Sequence, residues 1–226
     1  MVSAQQHIRI GLIVEDKHAD AYREFTQKIW PERVRGYPVR KKKSIPASQK
    51  LHVWIEELKS KYDFVFVLVD LDTPAHHKDP QYFQTLKQIC DEAGEALLIV
   101  KRELESWILT DVDSIARWKL GDETTFSFGN IYHNTARDPW EPKDEILKLV
   151  KQVARYKRQR EPRAFNPEWI AEITRKIKLN DTTLSRNCSL RCFYNLVKGC
   201  CGDDGQQHFA TYPQETHCDR PEIPDE

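Results

Sequence analysis

The sequence predicts an α/β fold, a mainly parallel sheet flanked by helices and followed by a mostly helical C-terminal region. Two observations predict it. Runs such as FVFVLV at 64–69 are apolar on both faces, as a central strand covered by helices requires. Each such run is followed by a stretch with apolar residues at helical spacing, and strand–helix alternation implies parallel strands joined by right-handed crossovers.

The elements follow in order. IRIGLIV at 8–14 reads as a strand ending at Glu15-Asp16. Ala21, Tyr22, Phe25 and Ile29 give a helix over 17–30, stopped by Pro31. YPVRKKKSI at 37–45 suits an edge strand, where clustered lysines discourage sheet-to-sheet association. Leu51, Trp54, Ile55 and Leu58 give a helix over 48–60. The strand at 64–69 ends at Asp70-Leu71-Asp72, and a loop with Pro74 and Pro80 leads to a helix at 81–93. ALLIV at 96–100 is the third core strand, followed by a helix running to about Leu120. Gly121 closes the pattern. Helices are then expected near 143–158, 167–178 and 189–198. Three regions result: an α/β domain at 1–121, a helical accessory region at 122–200, and a tail at 201–226 with few apolar groups, expected to be poorly ordered.

Lys+Arg and Asp+Glu both number 35, so net charge says nothing about partners and local distribution must. No stretch approaches the roughly 18 apolar residues of a membrane span. MVSAQQHIRI is not a basic segment followed by an apolar run, and the six cysteines are unevenly spaced. A cytoplasmic protein with reduced thiols, away from membranes, is expected.

The chemistry concentrates at strand ends. Ligands bind beyond the carboxyl ends of the strands in open parallel sheets. Glu15 follows the first strand, Asp70 and Asp72 follow the third predicted one, and Glu103 and Glu105 follow ALLIV. The period of two puts Asp70 and Asp72 on the same side where strand geometry persists. Clustered carboxylates repel one another, and a hard divalent ion relieves that conflict with oxygen ligands. Mg²⁺ or Mn²⁺ is the expected cofactor. The plainer reading, acids as helix N-caps and solvated turns, stays open at each position.

Glu at the end of a first strand, then Asp-x-Asp at the end of a later one, resembles the TOPRIM domain of topoisomerases, primases and OLD-type nucleases. The stretch from Glu103 to Asp111 (ELESWILTD) is similar to an acid-small-Trp-…-Asp motif of small stand-alone bacterial TOPRIM-like proteins. Pro142-Lys143 and the CSLRCF segment at 188–193 resemble a Pro-Lys pair and a Cys-rich segment of the same group. The resemblance reaches to about residue 198, with long unmatched gaps. It implies a Rossmann-like (TOPRIM) fold and metal-dependent phosphodiester cleavage in nucleic acid, DNA ahead of RNA, with a bacterial anti-phage or anti-plasmid module as one setting for it. Glu15 would bind metal or act as general base, Asp70 and Asp72 would bind the ion, and Glu105 would complete the shell. Lys143 or Lys101 would balance transition-state charge. The family often has Gly after the first Glu and an acid four positions beyond it. Here Asp16 and Ala19 stand there, and Asp20, one position later, is the acid available as a further metal ligand. OLD-type systems couple such a nuclease to an ATPase. This chain has no P-loop, so the resemblance implies a separate ATPase partner. A homo-oligomer also stays open.

Two basic stretches suit phosphate contact: Arg33, Arg35 and Arg40 to Lys43, and Lys148, Lys151, Arg155, Lys157, Arg158, Arg160 and Arg163. A solvated helix face explains the second equally well, and a protected edge strand explains the first better. Trp54, Trp107, Trp118, Trp140 and Trp169 are base-stacking candidates, with core packing favoured for Trp54 and Trp107 and Trp140 the best surface candidate. Cys188, Cys192, Cys200, Cys201, His208, His217 and Cys218 have zinc-ligand chemistry but poor spacing, and helical packing suits Cys188 and Cys192 better. His76-His77 follow the Asp-x-Asp loop and suit a solvated loop better than the site. Two alternatives to a nuclease remain: a non-catalytic binding or effector subunit acting with an ATPase, and a receiver-like or phosphatase domain with a phosphoacceptor Asp.

Overall fold

The structure, a computed structural model, describes residues 7–14, 19–41, 45, 48–71, 80–101, 103–129 and 141–200. Its first half reads β1 (Ile8–Val14), α1 (Ala19–Ile29), β2 (Val34–Lys41), α2 (Gln49–Lys59), β3 (Phe64–Leu71), α3 (Pro80–Ala93) and β4 (Ala96–Lys101). The strands pair in the order β2-β1-β3-β4, all parallel. The fold is α/β and Rossmann-like.

Chain direction across the sheet explains the layering. From β1 the chain steps outward to β2, then crosses back over β1 to β3 and β4. Right-handed crossovers in opposite directions place their helices on opposite faces. Accordingly Tyr22, Phe25 and Ile29 of α1 pack with Ile10, Leu12, Val14, Phe66 and Leu68. Leu51 and Ile55 of α2, with Leu86 and Cys90 of α3, pack on Ile13, Val65, Val67 and Val69. The alternation along β3 is the period of two of a strand buried on both sides.

β2 is an edge strand, as expected, but it begins at Val34 rather than 37. Val34 is buried against α1, and this single apolar anchor among arginines is too little for a periodic signal. The β1–β2 register shifts between Leu12 and Ile13, next to Pro38. Proline has no N–H for the ladder, which makes an edge strand the place that tolerates it.

The second half holds α4 (Glu105–Ile108), a 3₁₀ turn (Leu109–Asp111), α5 (Asp113–Leu120), α6 (Pro142–Tyr156), α7 (Trp169–Thr174), α8 (Asp181–Leu184) and α9 (Cys188–Gly199). The single helix expected up to Leu120 is thus interrupted. Asp111 turns to the Arg117 guanidinium and accepts the Lys178 N–H at 2.7 Å. Side-chain to backbone bonds of this kind compete with helix continuation. The same clasp ends the helix expected over 167–178: Arg117 donates to the Lys176 carbonyl at 2.9 and 3.1 Å, drawing the chain after Thr174 toward α5.

These helices cover the α1 face. Ile146, Leu149 and Val153 of α6, Ile170 and Ile173 of α7, and Leu190, Phe193 and Val197 of α9 share one apolar cluster with the sheet. Among the described residues no helix is long and apolar enough to cross a membrane. The expected tail at 201–226 lies outside the described residues.

Candidate functional site at the carboxyl edge of the sheet

The order β2-β1-β3-β4 reverses direction between β1 and β3. Such a reversal opens a crevice at the carboxyl ends of the two strands. Asp70 stands at that end of β3, half-buried, in register with Val100 of β4. Even-numbered residues of β3 face α1, and the Tyr22 hydroxyl of α1 donates to Asp70 Oδ1 at 3.3 Å. Strand geometry continues through Leu71. Glu15 and Asp72, the acids immediately following the described parts of β1 and β3, lie outside the described residues.

A second group sits beyond β4. Glu105, in the first turn of α4, is fully buried. Lys143, in the first turn of α6 after Pro142, donates to Glu103 Oε1 at 2.7 Å and reaches Glu105 Oε1 at 3.6 Å. Burying a carboxylate is costly without a nearby cation, and this ammonium, 44% exposed, supplies one from the solvent side. The structure therefore brings Lys143 to Glu105, two residues 38 positions apart that sequence reasoning selected separately. Asp20 lies in the first turn of α1, exposed, 3.4 Å from Arg23. An acid at a helix N-terminus is favoured by the helix dipole alone.

The rest of the ELESWILTD stretch fastens α4 to α9. Trp107 is fully buried and its Nε1 donates to Ser189 Oγ at 2.8 Å. Asn187 Nδ2 donates to Ser106 Oγ at 3.1 Å, and Ser189 Oγ donates to Asn187 Oδ1 at 2.8 Å. The Trp107 ring meets Tyr22 edge-on at 5.6 Å and Phe193 at 5.2 Å. Two short segments far apart in sequence thus pack on each other, and through Tyr22 that packing supports Asp70. Tyr22 was countable only as one apolar member of the α1 stripe. The signal in the sequence was its hydroxyl, since a buried tyrosine needs a partner for it.

The other candidates fall as follows. Trp54 and Trp107 are core residues. Trp118 donates to Glu172 Oε2 at 2.7 Å, stacks near Trp169 at 5.7 Å and carries Lys119 Nζ at 3.8 Å from its ring. In the second basic stretch Lys148 pairs with Glu145, and Arg155 forks onto Glu161 at 2.7 and 3.1 Å, holding that exposed carboxyl below its ordinary range. Cys188, Cys192 and Cys200 are half-buried on or just after α9. His76, His77, Trp140, Cys201, His208, His217 and Cys218 lie outside the described residues, and so does any zinc site that needs them. Nothing is described of the Lys101 side chain.

The donor chemistry at the edge is carboxylate oxygen, which suits a hard divalent ion. Among the described residues no group of three or more His, Cys, Asp or Glu is arranged to hold one. A full shell here would have to draw on Glu15 and Asp72. Comparison with protein-family models, with curated proteins and with solved structures finds no match to this chain.

Proposed function

We propose that the carboxyl edge between β1 and β3 is a Mg²⁺ or Mn²⁺ site, and that the chain is a TOPRIM-like nuclease cleaving phosphodiester bonds in DNA or RNA. The observation that supports it most is Asp70 at the end of a central strand, at the reversal of strand order, on the same sheet edge as buried Glu105 and Lys143. A divalent ion bound there would activate water and neutralise phosphate charge. Asp70 and Glu105 would hold it together with Glu15 and Asp72, with Asp20 as a further acid at the rim. The Tyr22 hydroxyl fixes the orientation of Asp70, and Lys143 adds positive charge for a pentavalent phosphorane-like state.

Purified protein incubated with Mn²⁺ and plasmid, linear DNA or RNA should cleave at least one of them. Asp70→Asn should cut that rate at least about 100-fold, and Tyr22→Phe about 10-fold with a raised requirement for metal. All substrates intact, with and without an ATPase recovered by pull-down, overturns the nuclease reading. The second reading, a non-catalytic TOPRIM-like subunit working with a separate ATPase, is favoured by one observation: Glu103 and Glu105 already have the Lys143 ammonium, and Asp20 has Arg23, as counter-charge. Normal function after Asp70→Ala selects it.

A further inference from the structure

A groove of about 290 Å³ runs along the outer edge of β2, and Asp70, Glu103 and Glu105 do not line it. Arg23 and Gln27 of α1 line one side of it, Arg35 and Tyr37 come from β2 itself, and Tyr62 from the α2–β3 connection lines the other side. Among the described residues no carboxylate lines it, the nearest being those that flank Arg23. We propose that this groove is a track for a single strand of nucleic acid, with Arg23 and Arg35 on its phosphates and Tyr37 against a base. The inference rests on the nucleic-acid reading of the chain and assigns where the strand lies.

Charge argues first. The described hydrogen bonds of the Arg35 guanidinium go to main-chain carbonyls, those of Pro31 and of Val34 at 3.0 Å. Carbonyl partners orient the guanidinium without neutralising it, which leaves a fixed positive charge for a phosphate. Arg23 stands 3.4 Å from Asp20 and 3.6 Å from Glu24, and Glu24 is also bridged to Arg175 at 3.0 Å. β2 ends in Arg40 and Lys41, and Lys42 and Lys43 follow in the sequence, so the chain continues basic past the groove residues.

Ring geometry argues second. Tyr37 is 41% exposed, an unusual amount for a large side chain on a strand of this sheet, and its ring lies 5.5 Å from that of Tyr62. Tyr62 is held flat on β1 because residue 11 is glycine: a Cβ there would stand 2.9 Å from the Tyr62 ring. The pair is a buttressed aromatic platform with one member open to solvent. Aromatic platforms interleaved with cations are the sequence-tolerant way to bind single strands, because every base has a face to stack. The volume, near the lower end for small-ligand pockets, suits about one nucleotide at a time. Because β2 lies beside β1 in the sheet, a strand following β2 toward its carboxyl end arrives at the edge that carries Asp70.

The test is fluorescence anisotropy with a labelled oligothymidylate of about a dozen nucleotides, in EDTA so that binding is read without cleavage. Tyr37→Ala is expected to weaken binding about tenfold, with Tyr37→Phe close to wild type. The pair Arg23→Gln and Arg35→Gln is expected to flatten the dependence of affinity on salt. Circular dichroism checks that each variant is folded, and Tyr37→Phe keeps the test valid if an arginine variant is not. Binding by wild type that all these variants retain, with the same salt slope, overturns the groove and leaves the nuclease reading standing. Groove-dependent binding with plasmid, linear DNA and RNA all left intact in Mn²⁺, with and without the ATPase, supports the groove and overturns the nuclease reading. No binding by wild type overturns the groove and leaves the nuclease reading to the cleavage assay, and tighter binding of an extended peptide than of the oligonucleotide also overturns the groove as a nucleic-acid track.

Discussion

Two glutamates flanking β4 are accommodated in different ways. Glu105, fully buried, has the Lys143 ammonium 3.6 Å away. Glu95, just before the strand, accepts the Val65 N–H at 3.0 Å and so ties β3 to the α3–β4 turn. Burial nevertheless raises the Glu95 pKa, outweighing the lowering by that N–H and by Lys59. A folded-state pKa above the unfolded value means that folding is penalised once pH exceeds the ordinary carboxyl range, and fully so above the raised value. Glu95→Gln keeps an acceptor for Val65 and removes the charge. Its stability relative to wild type should therefore be level in acid and rise as pH climbs through that window, which urea titrations from pH 4 to 7 would read. A flat difference sinks the argument. Residues of this kind mark the limit of sequence reading. Asp70 is legible because strand ends are legible, and Glu105 because it follows one closely, whereas Tyr22 counts in the stripe by its ring and its hydroxyl finds its partner only in the fold.

At the level of elements, helices with long apolar stripes were legible and short ones held by side chains were not. α3 and α9 fall within a residue of expectation because periodicity persists over three turns. α8 was missed. It is four residues long and exists through a reciprocal cap, in which Asn180 Oδ1 accepts the Thr183 N–H and Thr183 Oγ1 accepts the Asn180 N–H, both at 3.0 Å. The interruption between α4 and α5 was missed for a related reason, since Asp111 is satisfied by partners 6 and 67 positions away. Asn187 concentrates several such bonds: it caps α9 through the Leu190 N–H at 3.0 Å, accepts from Ser189 and donates to Ser106. Asn187→Ala should cost about 1–3 kcal/mol, the loss of a cap plus buried partners left unmade. Asn187→Asp should recover the cap and not the bond to Ser106. Thermal melts of the two variants rank them, and equal losses would show that the cap contributes nothing.

Over the whole molecule, the two faces of the sheet are closed by different parts of the chain. α2 and α3, which lie within the first 121 residues, cover one face. The other is covered by α1 together with helices drawn from 105–199. A chain ending at Gly121 would keep β1 to β4 but lose α9, which packs on β4, and so uncover Leu98, Val100 and Trp107 in part, a contiguous apolar patch of the kind monomeric proteins seldom expose. It should be recovered as aggregate or with little protection from amide exchange, and a soluble, cooperatively melting 1–121 fragment would contradict this. The Trp107–Ser189 bond has a consequence in time as well as in space. Its partners are 82 residues apart, and at about 5–20 residues per second a ribosome takes roughly 4–16 s to deliver the second after the first. For that interval the nascent chain carries a finished set of strands with one face only partly covered, by α1. Yield in the cell then depends on what shields that face during synthesis, and slowing translation between 107 and 189 should lower it without changing the stability of the protein that survives.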